Sequence, residues 1–328
     1  MKIVVTGGAG MIGSNLCSRL LDDGHNVVVL DNLWRGSIAN LHFTCNDNFE
    51  RLTFVNADLS FMSDWIEYLR DVDCVYHLAD IVAGIGYVFE NEGYIFRRNL
   101  QINACVGMAC ELMKVKRYVY VGTACSFPLH LQGGVDSPPL REENQFPAHP
   151  ESAYGWSKLM GELDAKYMAK SGAIDSVILV FHNVYGTPCD YKSNKAQALP
   201  ALSYRALLSR DHRKLDVWGD GTQGRAFVHL DDVVTALVLA LYAGHGCGPI
   251  QIGPNVCTSI ADVARTIVSI VDPGIELQFD VTKPIGDKGR CADYTKALNI
   301  LGWKPTVSIE KGLLDLVSWI AKKESIKL

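Results

Sequence analysis

The sequence predicts an α/β protein: a doubly wound parallel sheet with a smaller, interleaved C-terminal lobe. Three observations carry that expectation. Short β-branched runs alternate with helical patterns through the first half of the chain. A glycine-rich turn joins the first run to the first helix. After about residue 185 the rhythm breaks into a loop-like stretch rich in Gly, Pro, Asp and Lys.

The chain opens on the strand-like KIVVTG, followed by MIGSNLCSRLLDDGH, where Ile12, Leu16 and Leu20 fall four apart on one helix face and Gly24 is the stop. Five more strand-like runs follow, NVVVLDN, RLTFVNAD, CVYHLA, RYVYVGT and SVILVF, with helical crossovers between them. The loop of residues 186–200 then leads into a helix, ALPALSYRALLSR, and the stretch LDVWGDGTQGRAFVHLDD precedes a long apolar helix and further short strands. These boundaries divide the chain into a sheet domain, 1–184, with a return segment near 226–252, and a lobe formed mostly by 185–328.

The bulk numbers exclude several classes of function. A net charge of −5 on 328 residues gives no footprint for nucleic acid or an anionic membrane. The ten cysteines are scattered singly, with no C-x-x-C pair and no neighbouring His cluster, so neither a disulfide framework nor a metal site is expected. Reduced thiols, an opening that is already strand and turn, and an apolar maximum as short as VVTALVLALYA together predict a soluble cytoplasmic protein.

In VVTGGAGMIG, Gly7, Gly10 and Gly13 sit at the turn from strand to helix, where bare backbone can approach a pyrophosphate at the helix N-terminus. Asp31, at the end of the second strand, is suited to accept a hydrogen bond from a ribose 2′-hydroxyl and to repel a 2′-phosphate, which favours NAD over NADP. Arg35 nearby is the one dissenting residue. Asp58, after the third strand, is placed to contact an adenine or to sit in a surface loop. In ESAYGWSKLMGEL, Tyr154 and Lys158 are four apart and share a helix face. A lysine ammonium there lowers the phenol pKa and holds a nicotinamide ribose, which makes Tyr154 a base for a sugar hydroxyl.

With these motifs, and with DNLWRG, HLAD, FHNVYG, VWGDGTQGRAFVHLDD and GRCADYTKALNILGWKP, the chain resembles the extended short-chain dehydrogenase/reductase family, the NAD-dependent sugar-nucleotide epimerases and dehydratases, nearly end to end. The resemblance implies a Rossmann domain that binds NAD and a lobe that binds a nucleotide-diphospho-sugar. It extends the cofactor set to Met11, Ile12, Asn32, Leu59, Leu78 and Ala79, and makes Thr123 the hydroxyl partner of Tyr154. It assigns Arg225 and Arg290 to the diphosphate, for which a planar guanidinium fork is apt. It also implies a homodimer through two helices per subunit, one of them carrying Tyr154.

Cys125, in YVYVGTACSFP, sits where the fifth strand ends. By the resemblance, dehydratases carry an Asp-Glu pair just after the threonine; this chain has Ala124-Cys125 and lacks that acid. The stretch resembles the Ser-Ala-Cys and Ser-Ser-Cys segments of the GDP-mannose 3,5-epimerases and GDP-L-fucose synthases. A C4 ketone acidifies the protons on C3 and C5, and inversion needs one group to remove a proton and another to return it from the opposite face. A thiol, with a reference pKa of about 8.5, serves in either role. The alternative for Cys125 is a small buried hydrophobe. Its expected partner is Lys195 in TPCDYKSNKAQALPAL, with Lys192 as the other candidate; Gln197 stands where the synthases carry histidine. Gly84, Gly86 and Asn183 complete the substrate set, and His182 either touches the site or is a core histidine. The departures are Ala83, where glycine is usual, and Asp80 in LAD, where LAA is common. The reading is NAD-dependent epimerisation through a transient C4 ketone, with a 4-epimerase, an epimerase-reductase and a silent nucleotide-binding scaffold as rivals.

Overall fold

A computed structural model describes residues 1–45, 49–62, 65–283, 285–286 and 288–328. The first half alternates as expected: β1 (Lys2–Thr6), α1 (Met11–Asp22), β2 (Asn26–Asp31), α2 (Ile38–Thr44), β3 (Leu52–Asn56), β4 (Cys74–His77), α3 (Ile85–Glu90), α4 (Glu92–Leu112), β5 (Arg117–Thr123), α5 (Ala153–Ser171) and β6 (Asp175–Phe181). The second half runs through β7 (Asn183–Tyr185), α6 (Ala198–Leu208), β8 (Lys214–Trp218), β9 (Gly224–Arg225), β10 (Phe227–His229), α7 (Leu230–Ala240) and β11 (Pro249–Ile252). It ends with β12 (Thr258–Ser259), α8 (Ile260–Val271), β13 (Glu276–Asp280), β14 (Gly289–Arg290), α9 (Thr295–Leu301) and α10 (Ile309–Lys323).

The main sheet has seven strands in the order β11-β6-β5-β4-β1-β2-β3, every pair parallel. Both of its faces are covered, so its strands are continuous apolar runs. Within them, successive side chains part company: Ile3 and Val5 join the core under α1, α7 and α9, while Val4 joins the core under α4 and α5. Helix α1 buries Leu16, Cys17, Leu20 and Leu21, and the chain turns after it through Gly24 at φ +85°, a conformation open to glycine.

The sheet recruits more of the chain than six strands. β11 adds a seventh beside β6, and α7 lies on the sheet between lobe segments. Ala297, Leu301 and Trp303 also pack on that face, so the chain returns a second time near its end. Asp232 on α7 ties down this return: its carboxylate accepts from the Thr306 and Val307 amides at 3.0 and 3.1 Å, and its carbonyl accepts from Trp303 Nε1 at 2.8 Å. The lobe has a separate core in which α6, α8 and α10 pack against the β8–β13 pair. Among the described residues no helix is long and apolar enough to cross a membrane.

The sheet order reverses between β1 and β4, the switch point where doubly wound sheets open a crevice at their strand C-termini. The ends of β1, β2, β4, β5 and β6 all reach that crevice, and the lobe closes its far side.

Candidate active site

A cavity of about 890 Å³ fills the crevice. At one end lies the turn after β1. Gly7 there has φ +68°, and a Cβ on it would stand 2.9 Å from the Ala79 amide nitrogen. A Cβ on Gly13 would stand 2.4 Å from the Gly7 carbonyl oxygen, so α1 sits this close to the strand only because position 13 is bare. Asp31 is buried and braces the turn: its carboxylate accepts from the Ala9 amide at 3.0 Å and the Leu33 amide at 2.8 Å. Burial pushes the Asp31 carboxyl up, against the pull of those two amides. Met11, Ile12, Asn32, Leu59, Leu78 and Ala79 continue the wall. A glycine cradle at a helix start, answered by a carboxylate at the next strand end, fits the pyrophosphate and ribose of NAD. Arg35 also lines the cavity, where it donates to the Val82 carbonyl at 3.1 Å. Asp58 departs from expectation: Ala57 and Leu59 line the cavity, but the Asp58 carboxylate is paired with Arg98 at 2.8 Å and does not.

At the middle of the cavity stand Thr123, Cys125, Tyr154 and Lys158. Helix α5 presents the last two because it starts sharply: Ser152 Oγ caps it, accepting from the Gly155 amide at 3.3 Å. Gly155 must be small, since a Cβ there would lie 2.2 Å from the Cys125 carbonyl oxygen, and this close approach sets α5 against the end of β5. Thr123 does not meet the Tyr154 hydroxyl; its Oγ1 accepts from the Cys125 amide at 3.3 Å and caps the turn that carries the thiol.

The partner of Tyr154 is Asp80. The phenol donates to Asp80 Oδ2 at 3.2 Å, and Lys158 Nζ lies 3.2 Å from the same oxygen. This corrects the expectation that the ammonium lowers the phenol pKa. Burial, then the Asp80 carboxylate and Cys125, push the Tyr154 phenol well above its ordinary value, because the lysine charge is matched by an anion. The only signal in the sequence was the departure from LAA to LAD.

Cys125 Sγ accepts from Arg290 Nη2 at 3.2 Å, and Arg290 Nη1 donates to Gln132 Oε1 at 2.6 Å. Arg290, assigned by resemblance to the diphosphate, is therefore held at the thiol end of the cavity. Gln132 comes from a loop with no motif to reveal it. Arg225, Gly84, Gly86 and Asn183 line the wall, and the Asn183 side-chain oxygen is buried with no hydrogen-bond partner among the described residues. His182 also lines it, but its Nε2 is bonded to Gln251 at 3.0 Å and burial pushes its pKa down to about 3, so it is a neutral wall residue. Lys195 is not brought to Cys125. Its ammonium donates to the Trp34 carbonyl at 3.1 Å and lies 4.0 Å over the Trp34 ring, while its neighbours Asn194 and Ala196 line the cavity. Lys192 is paired with Glu324 at 2.7 Å.

Residues 3–253 match the model of the NAD dependent epimerase/dehydratase family. The chain belongs to that family. It is an enzyme family whose cofactor is NAD. The chain is 32% identical over 329 aligned positions to a GDP-mannose 3,5-epimerase 1 of Oryza sativa subsp. indica, covering 100% of this chain and 83% of that one. It is 30% identical to the UDP-glucose 4-epimerase of Mycolicibacterium smegmatis, covering 98% and 99%. Among solved structures, the UDP-glucose 4-epimerase of Thermotoga maritima with UDP-glucose superposes with a TM-score of 0.87 at 27% identity, covering 99% of this chain and 100% of that one.

Proposed function

We propose that this epimerase inverts a carbon beside a transient C4 ketone on a nucleoside-diphosphate hexose, GDP-mannose or a close relative. The observation that carries the reading is Cys125: a thiol at the end of β5, in the wall of the same cavity as Tyr154, with a guanidinium against its sulfur. Tyr154 takes the C4 hydroxyl proton as its phenolate, which the positive charge of bound NAD would favour against burial and Asp80, and Lys158 would hold the nicotinamide ribose beside it. NAD, held by the glycine turn, Asp31 and Lys158, would supply reversible hydride acceptance at C4. While the ketone lasts the protons on C5 and C3 are acidic, and Cys125 removes or returns one from its face of the ring. Lys195 serves the opposite face once its ammonium leaves both the Trp34 ring, a contact worth about 0.5–2 kcal/mol, and the Trp34 carbonyl, a hydrogen bond worth about 1.5–3 kcal/mol. The guanidinium of Arg225 and the unpaired Asn183 oxygen supply polar anchors for the diphosphate and the sugar.

The resting place of Lys195 favours a second reading, a 4-epimerase in which Tyr154 alone moves the proton and the keto-sugar turns over in the site. The similarity to UDP-glucose 4-epimerases supports it too. Incubation with GDP-mannose in D2O, followed by proton NMR, separates the two. Deuterium at C5 or C3 supports the first, and C4 inversion without exchange, on any nucleotide sugar, supports the second. We further propose a homodimer through α4 and α5, whose outer faces carry the exposed Met108, Leu112 and Tyr167.

A further inference from the structure

We propose that Asp80 is a positioning residue that couples Tyr154 to Lys158 and sets the pH range in which Tyr154 accepts a proton. Both contacts fall on one oxygen: Tyr154 OH donates to Asp80 Oδ2 and Lys158 Nζ lies against it, each at 3.2 Å. The pair is dry, with the lysine side chain 2% exposed and the carboxylate 10%. Tyrosine, lysine and aspartate thus form a neutral trio in place of a cationic pair.

Asp80 is held there by the backbone on either side of it. The Ala79 amide donates to Thr6 Oγ1 at 3.2 Å. The Ile81 amide donates to Asn99 Oδ1 at 2.7 Å, and Asn99 Nδ2 reaches Ser157 Oγ on α5 at 3.3 Å. Asn99 is fully buried, so the segment carrying Asp80 is tied both to β1 and to the helix of Tyr154. A further buried chain runs from Thr6 through His77 and Asn103 to the Tyr120 hydroxyl, which donates to the Lys158 carbonyl at 3.2 Å. Such preorganisation fixes the distance between carboxylate and phenol to within a hydrogen bond.

The consequence is electrostatic. The charged and titratable groups facing the phenol are Asp80 from the end of β4, Cys125 and Tyr120 from β5 and its turn, and Lys158 from its own helix, with Arg290 behind the thiol. The carboxylate is the anion nearest the oxygen where phenolate charge must appear. It disfavours that charge, and it matches the ammonium that would otherwise favour it. Deprotonation of Tyr154 is accordingly moved to higher pH than a Tyr–Lys pair alone would give, and the trio yields this set point only while all three members are present.

The kinetic consequence rests on the proposed use of Tyr154 as a base; the titration itself does not. The first test is 13C NMR of the NAD-loaded enzyme labelled at tyrosine Cζ, with the Tyr154 resonance assigned by its absence from Tyr154→Phe. Asp80→Asn and Asp80→Ala are each expected to lower the pH at which that resonance titrates by about one unit or more. In turnover, the acid limb of kcat/KM moves down by the same amount, so that activity well below the limb rises about tenfold relative to the plateau. A Tyr154 resonance that titrates at the same pH in wild type and both variants overturns the proposal, and so does a fall in kcat with an unmoved limb, which is the mark of a merely structural role. If no nucleotide sugar turns over, the proposed function fails, and the NMR titration still decides the role of Asp80.

Discussion

Arg290 holds its guanidinium 3.2 Å from the sulfur of Cys125, with its other terminal nitrogen anchored on Gln132 at 2.6 Å. Both side chains line the catalytic cavity, whereas Cys17, Cys74 and Cys110 are fully buried in the sheet cores. A thiol that is accessible and faces a cation is the one an electrophile selects. Iodoacetamide is expected to alkylate Cys125 well before those buried thiols, and Arg290→Met to slow its alkylation by about tenfold. Peptide mass spectrometry over a time course measures both, and equal rates in wild type and variant would show that the arginine does not act on the sulfur.

Cys125→Ala separates hydride chemistry from proton exchange. The variant is expected to keep transient nicotinamide reduction on substrate addition, since Tyr154 and Lys158 are untouched. Deuterium incorporation at C5 and C3 is expected to fall about 100-fold or more, the ordinary worth of a positioned acid–base group. Stopped-flow absorbance and NMR in D2O give the two halves. Undiminished exchange would return Cys125 to the role of a packed thiol.

Tyr154→Phe tests whether the chain is a catalyst or a scaffold. Among the described residues the hydroxyl's hydrogen-bond partner is Asp80, and the ring packs among partly buried hydrophobes, so the fold tolerates the change. Turnover is expected to drop by about 100- to 10,000-fold while calorimetry shows NAD and nucleoside diphosphate still bound. A variant with wild-type turnover would point to the scaffold.

The strands, the first helix and the cofactor cradle were readable in the sequence because their causes are local. A parallel strand covered on both faces must be an apolar run, and a helix that touches the strand before it must have Gly13 where it touches. The residues at the strand ends line the crevice for the same reason, since their place in the chain is their place in the crevice. What failed to show was direction. Lys195 lies in the expected loop, yet its ammonium prefers the Trp34 face, a choice made by a residue 161 positions away. Asp80 was visible as an unusual letter, but its effect on Tyr154 depends on how α4, through Asn99, binds the segment to α5. Gln132 had no signal at all, because its role exists only where its loop meets β14.

Glu162 gives a prediction about stability. It lies on α5 one turn beyond Lys158, with its side chain 3% exposed behind the end of β5. Its Oε2 accepts from Gln145 Nε2 at 2.5 Å, and it packs so closely on Gly122 that a Cβ there would stand 2.5 Å from Oε1. Burial pushes its pKa up to about 7, against the opposing pull of hydrogen bonds from Gln145 and Ser126 and of the Lys158 charge. The native state therefore keeps this proton up to about pH 7, while the unfolded chain releases it near its ordinary value of 4.5. Between those values the unfolded state binds fewer protons, so its stability relative to the native state improves as pH rises. The contribution of Glu162 to folding is thus most favourable below about pH 4.5 and is lost progressively up to about 7, by an amount on the order of 3 kcal/mol. Glu162→Gln removes the titration and keeps a polar group of the same shape. The melting temperature of the variant, measured against wild type, is expected to gain several degrees between pH 5 and pH 8. A constant difference across that range would mean that the carboxyl is already ionised in the native protein at pH 5.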